Sequence, residues 1–327
     1  MKKIRIAQLG TSETAHSVHM MKALLSMPDI FEVVGVANVD YHPSGRLDPV
    51  FSLVPQMTAK ELLDLPLDAI NIEADENLQT HYGMLAAERG LHMAFDKPGS
   101  QPDAAFDALI DRVKANGTVF HVSYMFRYNP AVMYAMEKIT RGDIGEIISI
   151  EGQMNVWHGK ELRNRYAQYE GGVMYYLGCH ITDIIYRVLG EPLEVVPFNC
   201  NTGMDGVKSC DFGMAVLRYA HGASFTKVNA AEVAGAPMRR SIIFSGTKGT
   251  LEIRPIERPV ANGLDVTEIY ENYIGDSTVH HTIFPPYGRY TRMLSEFAAM
   301  VRGEKENPYT YEYERKLHKL ILKTCGM

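Results

Sequence analysis

A chain of 327 residues is longer than one ordinary compact domain, so length alone leads us to expect two. Hydrophobic residues at 46% and charged residues at 22% are globular proportions, which exclude a disordered, collagen-like or coiled-coil chain. With 33 Lys+Arg against 39 Asp+Glu the net charge is -6, and no dense basic block could neutralise a row of phosphates; nucleic acid is not an expected partner.

The first apolar stretch carries Arg5 and stops at Gly10, so it reads as a strand over residues 4–9 rather than a signal peptide or membrane span. An amphipathic stretch with Val18, Met21, Leu24 and Leu25 follows. Further buried-type strands are expected at 31–39, 68–74, 91–95 and 118–122, with helices at 79–89 and 103–115, the latter stopped by Gly117. Alternating β and α units imply a parallel sheet whose ligands sit beyond the carboxyl ends of its strands. After about Tyr124 the rhythm changes. A helix at 129–140 precedes strands at 147–154, 194–199, 212–219, 223–230, 241–245 and 250–253, and strands in succession favour an antiparallel sheet. One helix, 174–189, interrupts them, and helices at 290–302 and 312–324 close the chain. The expected division is therefore 1–124 and 125–327. Cys179, Cys200, Cys210 and Cys325 are irregularly spaced, encode neither a disulfide framework nor a zinc ribbon, and fit a reducing cytoplasm.

The turn after the first strand reads Gly10-Thr11-Ser12-Glu13-Thr14-Ala15, which matches G-x-G-x-x-G/A at its first and third positions, with Ser12 at the second. Gly10 permits a tight turn, Ala15 a close helix, and the helix N-terminus would present N–H groups to a pyrophosphate. At the end of the second strand, where an acid takes the ribose hydroxyls of NAD, stands Asn38, with Asp40 two residues on. Asn38 can hydrogen-bond a ribose without repelling a 2′-phosphate, which leaves NAD and NADP both open; alternatively it caps a loop.

Four further segments follow in order: Asp96-Lys97-Pro98; Arg127-Tyr128-Asn129-Pro130; Gly171-Gly172 with Gly178-x-His180-x-x-Asp183; and Gly246-Thr247-Lys248-Gly249-Thr250-Leu251-Glu252. Together they resemble the E-K-P, R-[FY]-N-P, G-G-G…D-x-G-x-H-x-x-D and G-T-x-G-x-[LI]-x segments of the glucose-fructose oxidoreductase/inositol dehydrogenase/MocA (Gfo/Idh/MocA) family of NAD(P)-dependent oxidoreductases, over nearly the whole chain. The resemblance implies an α/β Rossmann domain, then a substrate-binding and oligomerising α+β domain with a predominantly antiparallel, open-faced sheet. It implies a homodimer or homotetramer through that sheet. It also implies a cofactor held by the turn at 10–15, by Asn38, by Ala74 and Asp75, and by Asp96 and Lys97. Four positions depart: the family Pro after the third strand falls on Asp75, its His falls on Gln79, the Glu of E-K-P falls on Asp96, one methylene shorter, and the Asp of D-x-G-x-H falls on Tyr176.

Oxidation of a secondary alcohol needs a base for the proton and a group that steadies the developing alkoxide. By the resemblance His180 is the proton acceptor and Lys97 the catalytic or substrate-orienting cation. Tyr176, one α-helical turn before His180, would share its helix face and offer a phenol where the family has a carboxylate, or else would only pack. Trp157 and His158, in a loop-like stretch with Lys160, Arg163, Arg165 and Tyr166, offer a sugar ring an aromatic face and polar atoms; a solvated basic loop is the alternative. Arg127 would reach the cofactor or substrate, or tie elements together. Cys179 and His180 point about 100° apart on one helix, so no metal is expected. The expected activity is hydride transfer between nicotinamide and a secondary hydroxyl of a sugar, polyol or sugar derivative. Its rivals are glycoside cleavage through transient oxidation with a bound NAD, and a nucleotide- or sugar-binding protein without catalysis.

Overall fold

Short, fully buried runs such as Ala69–Ile72 can satisfy their backbone only inside a sheet, and they do so in the computed structural model, which describes residues 2–42, 45–232 and 239–327. The first sheet holds β1 (Ile4–Leu9), β2 (Phe31–Ala37), β3 (Gln56–Met57), β4 (Ala69–Ile72), β5 (His92–Phe95) and β6 (Phe120–Val122), all parallel, in the order β3-β2-β1-β4-β5-β6. Helices α1 (Ser17–Leu25), α2 (Ala59–Leu63), α3 (Glu76–Ala87) and α4 (Asp103–Asn116) connect them, α4 ending at Gly117 with φ 66°. Short α2 is fixed by a capping box between Thr58 and Glu61. Strand order reverses between β1 and β4, and that switch point is where a crevice opens in such sheets.

The following residues form α5 (Pro130–Arg141), α6 (Lys160–Arg165) and α7 (Cys179–Leu189). With them come β7 (Ile147–Met154), β8 (Glu194–Cys200), β9 (Phe212–Tyr219), β10 (Gly222–Asn229), β11 (Arg240–Gly246) and β12 (Gly249–Ile253). A small ribbon of β13 (Arg258–Pro259) and β14 (Asp265–Val266) leads to β15 (Glu268–Tyr273) and β16 (His280–Ile283). The large sheet runs β16-β15-β12-β11-β7-β10-β9-β8, antiparallel except between β7 and β10. Gly152 on β7 admits helix α7 closely, since a Cβ there would lie 2.2 Å from Ile181 Cγ2. Two expectations change. The 155–172 stretch is not an open loop but contains α6, and the helix expected at 174–189 begins as a π-turn, Met174–Gly178.

Helices α8 (Thr291–Val301) and α9 (Tyr311–Cys325) end the chain. The chain divides into two compact units, Met1–Tyr124 with Tyr290–His318, and Met125–Arg289 with Lys319–Met327. Assigning all of 125–327 to the second domain is thus corrected: 290–318 returns to the first unit. Polar ties hold it there, with Asn307 Nδ2 donating to Phe120 O (2.9 Å), Tyr311 Oη to Thr118 O (2.6 Å), and Arg315 pairing with Asp107 and Asp111. No helix among the described residues is long and apolar enough to cross a membrane.

Candidate functional site

At the switch point the chain leaves β1 through Gly10, whose φ of 102° suits only glycine and whose Cβ, if present, would lie 2.2 Å from Ala74 N. This lets the 10–15 loop lie against the end of β4. Gly10 N donates to Ala37 O (2.9 Å) and Ser12 N to Glu73 O (3.2 Å). Ser12 is buried; its hydroxyl bonds Asp75 Oδ1 and receives Thr14 N (3.1 Å), while Thr14 Oγ1 reaches Glu76 Oε2 (3.2 Å). Asn38 is exposed, and its Oδ1 accepts from Thr11 Oγ1 (2.7 Å) and Asp40 N (3.0 Å), a loop-capping role. Asp40 is the acid that turns inward. Its two oxygens accept Thr11 N (2.6 Å) and Asp75 N (2.7 Å), and burial, against the pull of those two N–H groups, pushes its pKa up to about 6. Glu13 is exposed, 3.6 Å from His42 Nδ1. Helix α1 starts at Ser17, so Ala15 lies in the bend before it and is half-buried; the close helix contact expected of Ala15 falls instead to buried Ser17, whose hydroxyl donates to Ser12 O (2.7 Å).

Beside this loop lies a buried ionic cluster. Lys97 follows β5 and is only 1% exposed; its Nζ is 3.8 Å from Glu76 Oε1. Asp96 Oδ1 is 2.9 Å from His16 Nδ1. Burial would raise the Asp96 carboxyl, but His16 and Lys97 together outweigh it and hold it low. Glu73 goes the other way: burial first, then the charge of Asp96, raise it well above the usual range despite Lys97 and hydrogen bonds from Asn71 and the His16 backbone. Gln79 Nε2 makes only long approaches, to Ala74 O (3.4 Å), Lys97 O (3.4 Å) and Asp96 Oδ2 (3.5 Å). Asp40 was noted from sequence only as the acid two residues after Asn38; Glu73, Glu76 and His16 were not singled out, and of these Glu73 left a signal, a charge closing the apolar run AINI.

In the second unit, Arg127 is fully buried and grips Asp183, Nη2 to Oδ1 at 2.7 Å and Nε to the two oxygens at 3.1 and 3.0 Å. Of the alternatives open for Arg127, these contacts fit the tie between elements: the guanidinium joins the turn before α5 to α7. His180, also buried, lies in the first turn of α7 with its ring 5.4 Å from Phe126. Tyr176 belongs to the π-turn that precedes α7, four residues before His180. The Tyr176 ring lies 5.4 Å from Tyr166 and 6.3 Å from His158. His158 Nδ1 bonds Tyr166 Oη; burial, then Arg240 and Arg163, lower its pKa to about 4, so the ring is neutral and accepts that hydroxyl. Trp157 is 44% exposed with the Arg163 guanidinium 5.5 Å from its ring, and Arg163 itself is buried, bonding Asp211 Oδ2 (2.9 Å), His158 O (3.0 Å) and Asp205. Tyr166 and Arg163 thus shape the aromatic corner. Among the described residues no group of three or more His, Cys, Asp or Glu side chains could hold a metal ion.

Against this geometry, residues 132–252 match the sequence model of the GFO/IDH/MocA C-terminal domain. A D-xylose 1-dehydrogenase (NADP(+)) of Haloferax volcanii is 26% identical over 243 residues, 73% of this chain and 71% of that one. A scyllo-inositol 2-dehydrogenase (NAD(+)) of Bacillus subtilis is 26% identical over 202 residues, 59% of this chain and 57% of that one. Among solved structures, a 3-ketoreductase from Actinomadura kijaniata in complex with NADP superposes with a TM-score of 0.80 at 18% identity, over 98% of this chain and 96% of that one. A parallel six-stranded sheet followed by a mostly antiparallel one, the matched C-terminal model and these relatives agree: residues 132–252 carry the C-terminal domain of the Gfo/Idh/MocA oxidoreductases, and the chain is similar to dehydrogenases that act on sugars and polyols.

Proposed function

We propose that the protein is an NAD(P)-dependent oxidoreductase acting on a secondary hydroxyl of a sugar, polyol or sugar derivative in the cytoplasm. The observation that carries this reading is the Gly10 cradle at the switch point, which only a residue without Cβ can form, beside a lysine held out of water at the end of β5. A dinucleotide fits there in outline: the 10–15 turn and Asp75 would hold its phosphates, Asn38 its ribose, and Ala74, Asp96 and Lys97 the remainder. When bound, nicotinamide would supply the hydride acceptor or donor. Lys97, with Glu76 Oε1 3.8 Å from its Nζ, would steady negative charge on the substrate oxygen. His180 takes the hydroxyl proton on a ring nitrogen, and Tyr176, packed on Tyr166, offers a hydroxyl rather than the family's carboxylate. Trp157 and His158 supply an apolar face and a neutral ring for a sugar.

Self-association through the large sheet is part of the proposal. Val196 and Phe198 on β8 pair with Val216 and Met214 on β9, and Phe225 on β10 continues the row opposite Val216, an open apolar face. Sedimentation of wild type and Phe198→Glu tests it. Activity is tested by following reduced nicotinamide absorbance over a panel of sugars, polyols and glycosides with each cofactor, alongside mass spectrometry of products. Net oxidation is the expected result; aglycone release without net nicotinamide reduction would move the reading to glycoside cleavage, and no turnover with intact cofactor binding would move it to a binding protein.

A further inference from the structure

The donors that an anion would meet at the switch point are not waiting for one. Thr11 N, at the carboxyl end of β1, and Asp75 N, beyond the end of β4, both point to the Asp40 carboxylate, at 2.6 and 2.7 Å. Two backbone N–H groups converging on one carboxylate between the strands where the order reverses is the form of an anion site. The rest of the loop is engaged too, Ser12 N by Glu73 O and Thr14 N by Ser12 Oγ. Of these acceptors only Asp40 carries a charge and sits on a side chain that can swing away, since it comes from the loop after β2.

We infer that Asp40 is an internal stand-in for a ligand phosphate, and that a dinucleotide enters the crevice by displacing or neutralising this carboxylate. The inference rests on the proposed dinucleotide site and deepens it. An acid holding ribose hydroxyls would aid binding; an acid holding the loop's own N–H groups opposes it, because the incoming phosphates compete for those donors and repel the charge they evict. The charged groups facing Asp40 favour that reading: Asp75 repels it, while His42, itself near Glu13, offsets it only in part, and Tyr82 on α3 feels its charge. A proton on Asp40 would relieve the competition, and its pKa of about 6 puts that relief just below neutrality.

The test is titration of wild type, Asp40→Ala and Asp40→Asn with NADH and NADPH, by calorimetry and by nicotinamide fluorescence, at several pH values between 6 and 8, with circular dichroism to verify folding. NADH carries no group titrating in that range, so its pH dependence reports the protein. We expect wild type to bind NADH more tightly as pH falls, by up to about tenfold per unit above 6, with both variants binding tenfold or more tighter than wild type at pH 8 and with a flatter profile. Asp40→Asn guards against a loosened loop, since it keeps the size of the side chain. Weaker binding by both variants would overturn the inference and make Asp40 a ribose ligand; unchanged affinity and slope would overturn it and leave Asp40 structural. If wild type and both variants fail to bind either dinucleotide, the proposed cofactor site itself falls, and the inference with it. Binding by a variant where wild type shows none would be its strongest support.

Discussion

Each unit buries ionic groups, and it does so in opposite ways. In the second unit Arg127 and Asp183 meet as planar fork against carboxylate, with three contacts of 2.7–3.1 Å and both side chains withdrawn from solvent. In the first, Glu73, Glu76 and Asp96 surround Lys97 and His16 with more acids than permanent cations, and the Lys97–Glu76 pair is loose at 3.8 Å. A close, bidentate buried pair fixes geometry. An unbalanced cluster must keep a proton or accept one, and so it responds when charge develops next to it. The same burial therefore reads as scaffold in one place and as chemistry in the other.

The largest effect should come from breaking the bidentate pair. Arg127→Met leaves Asp183 charged or forced to protonate in a fully buried place, and should destabilise the protein by about 3–5 kcal/mol in denaturant unfolding. Adding Asp183→Leu should restore much of that loss. If the single variant costs under about 1 kcal/mol, the pair is not the scaffold element that its geometry describes.

Much of this arrangement was legible beforehand, and the illegible part has a common cause. Alternating apolar runs gave the parallel sheet, Gly117 the end of α4, and the D-K-P segment pointed to Lys97 because a motif sits in local sequence. The capping box at Thr58 and Glu61 was equally local and was overlooked. By contrast, the partner of Arg127 is on a distant helix, and the inward turn of Asp40 depends on a loop conformation that no periodicity encodes. The π-turn also lies outside a reading that assumes 3.6 residues per turn. Propensity describes elements; it does not say which charges meet when elements pack.

Lys97→Met turns the comparison into kinetics. Turnover should fall by about 10²-fold or more, by more than dinucleotide affinity falls, because the ammonium acts chiefly on developing charge. Stability should suffer less than in Arg127→Met, since Asp96, which Lys97 helps to hold low, can take up a proton. The Asp96 carboxyl would then lose part of what lowers it, so the stability deficit relative to wild type should be small at low pH and grow as pH rises. A deficit independent of pH would mean that the cluster is as rigidly paired as Arg127 and Asp183. His180→Ala is the companion, with a comparable loss of turnover; near-normal turnover there would remove it as proton acceptor.

Glu73 gives a smaller effect with a definite sign. Its carboxyl is held protonated well above the ordinary value of 4.5, chiefly by burial. Below that value folded and unfolded chains are both protonated and nothing is lost. Above it the unfolded chain ionises first, so folding is penalised progressively, at a limiting slope of about 1.4 kcal/mol per pH unit, until the folded group also ionises. Glu73→Gln removes the penalty: the variant should match wild type near pH 4 and exceed it at pH 8 in chemical denaturation. Equal stability at both pH values would show that Glu73 is ionised and paired, and would take the surplus proton out of the cluster.

The smallest effect lies in the second unit and runs toward the opposite end of the pH scale. His158 accepts the Tyr166 hydroxyl as a neutral ring, its pKa lowered from 6.5 to about 4 by burial and then by Arg240 and Arg163. Above pH 6.5 neither the folded nor the unfolded ring is charged, and the full stability is present. Between 6.5 and about 4 the unfolded chain binds the proton and the folded chain resists it, so stability falls as pH falls. The limiting slope is again about 1.4 kcal/mol per pH unit, reduced because the ring retains some contact with solvent. His158→Gln keeps an acceptor for Tyr166 but cannot titrate. It should therefore lose less stability than wild type between pH 6.5 and 4.5 while matching the wild-type slope from pH 7 to 8, where Glu73 rather than His158 sets the slope. Should the variant instead alter the alkaline side, the two units would not divide the titration as their buried charges indicate, and the contrast between the bidentate pair and the unbalanced cluster would lose its thermodynamic content.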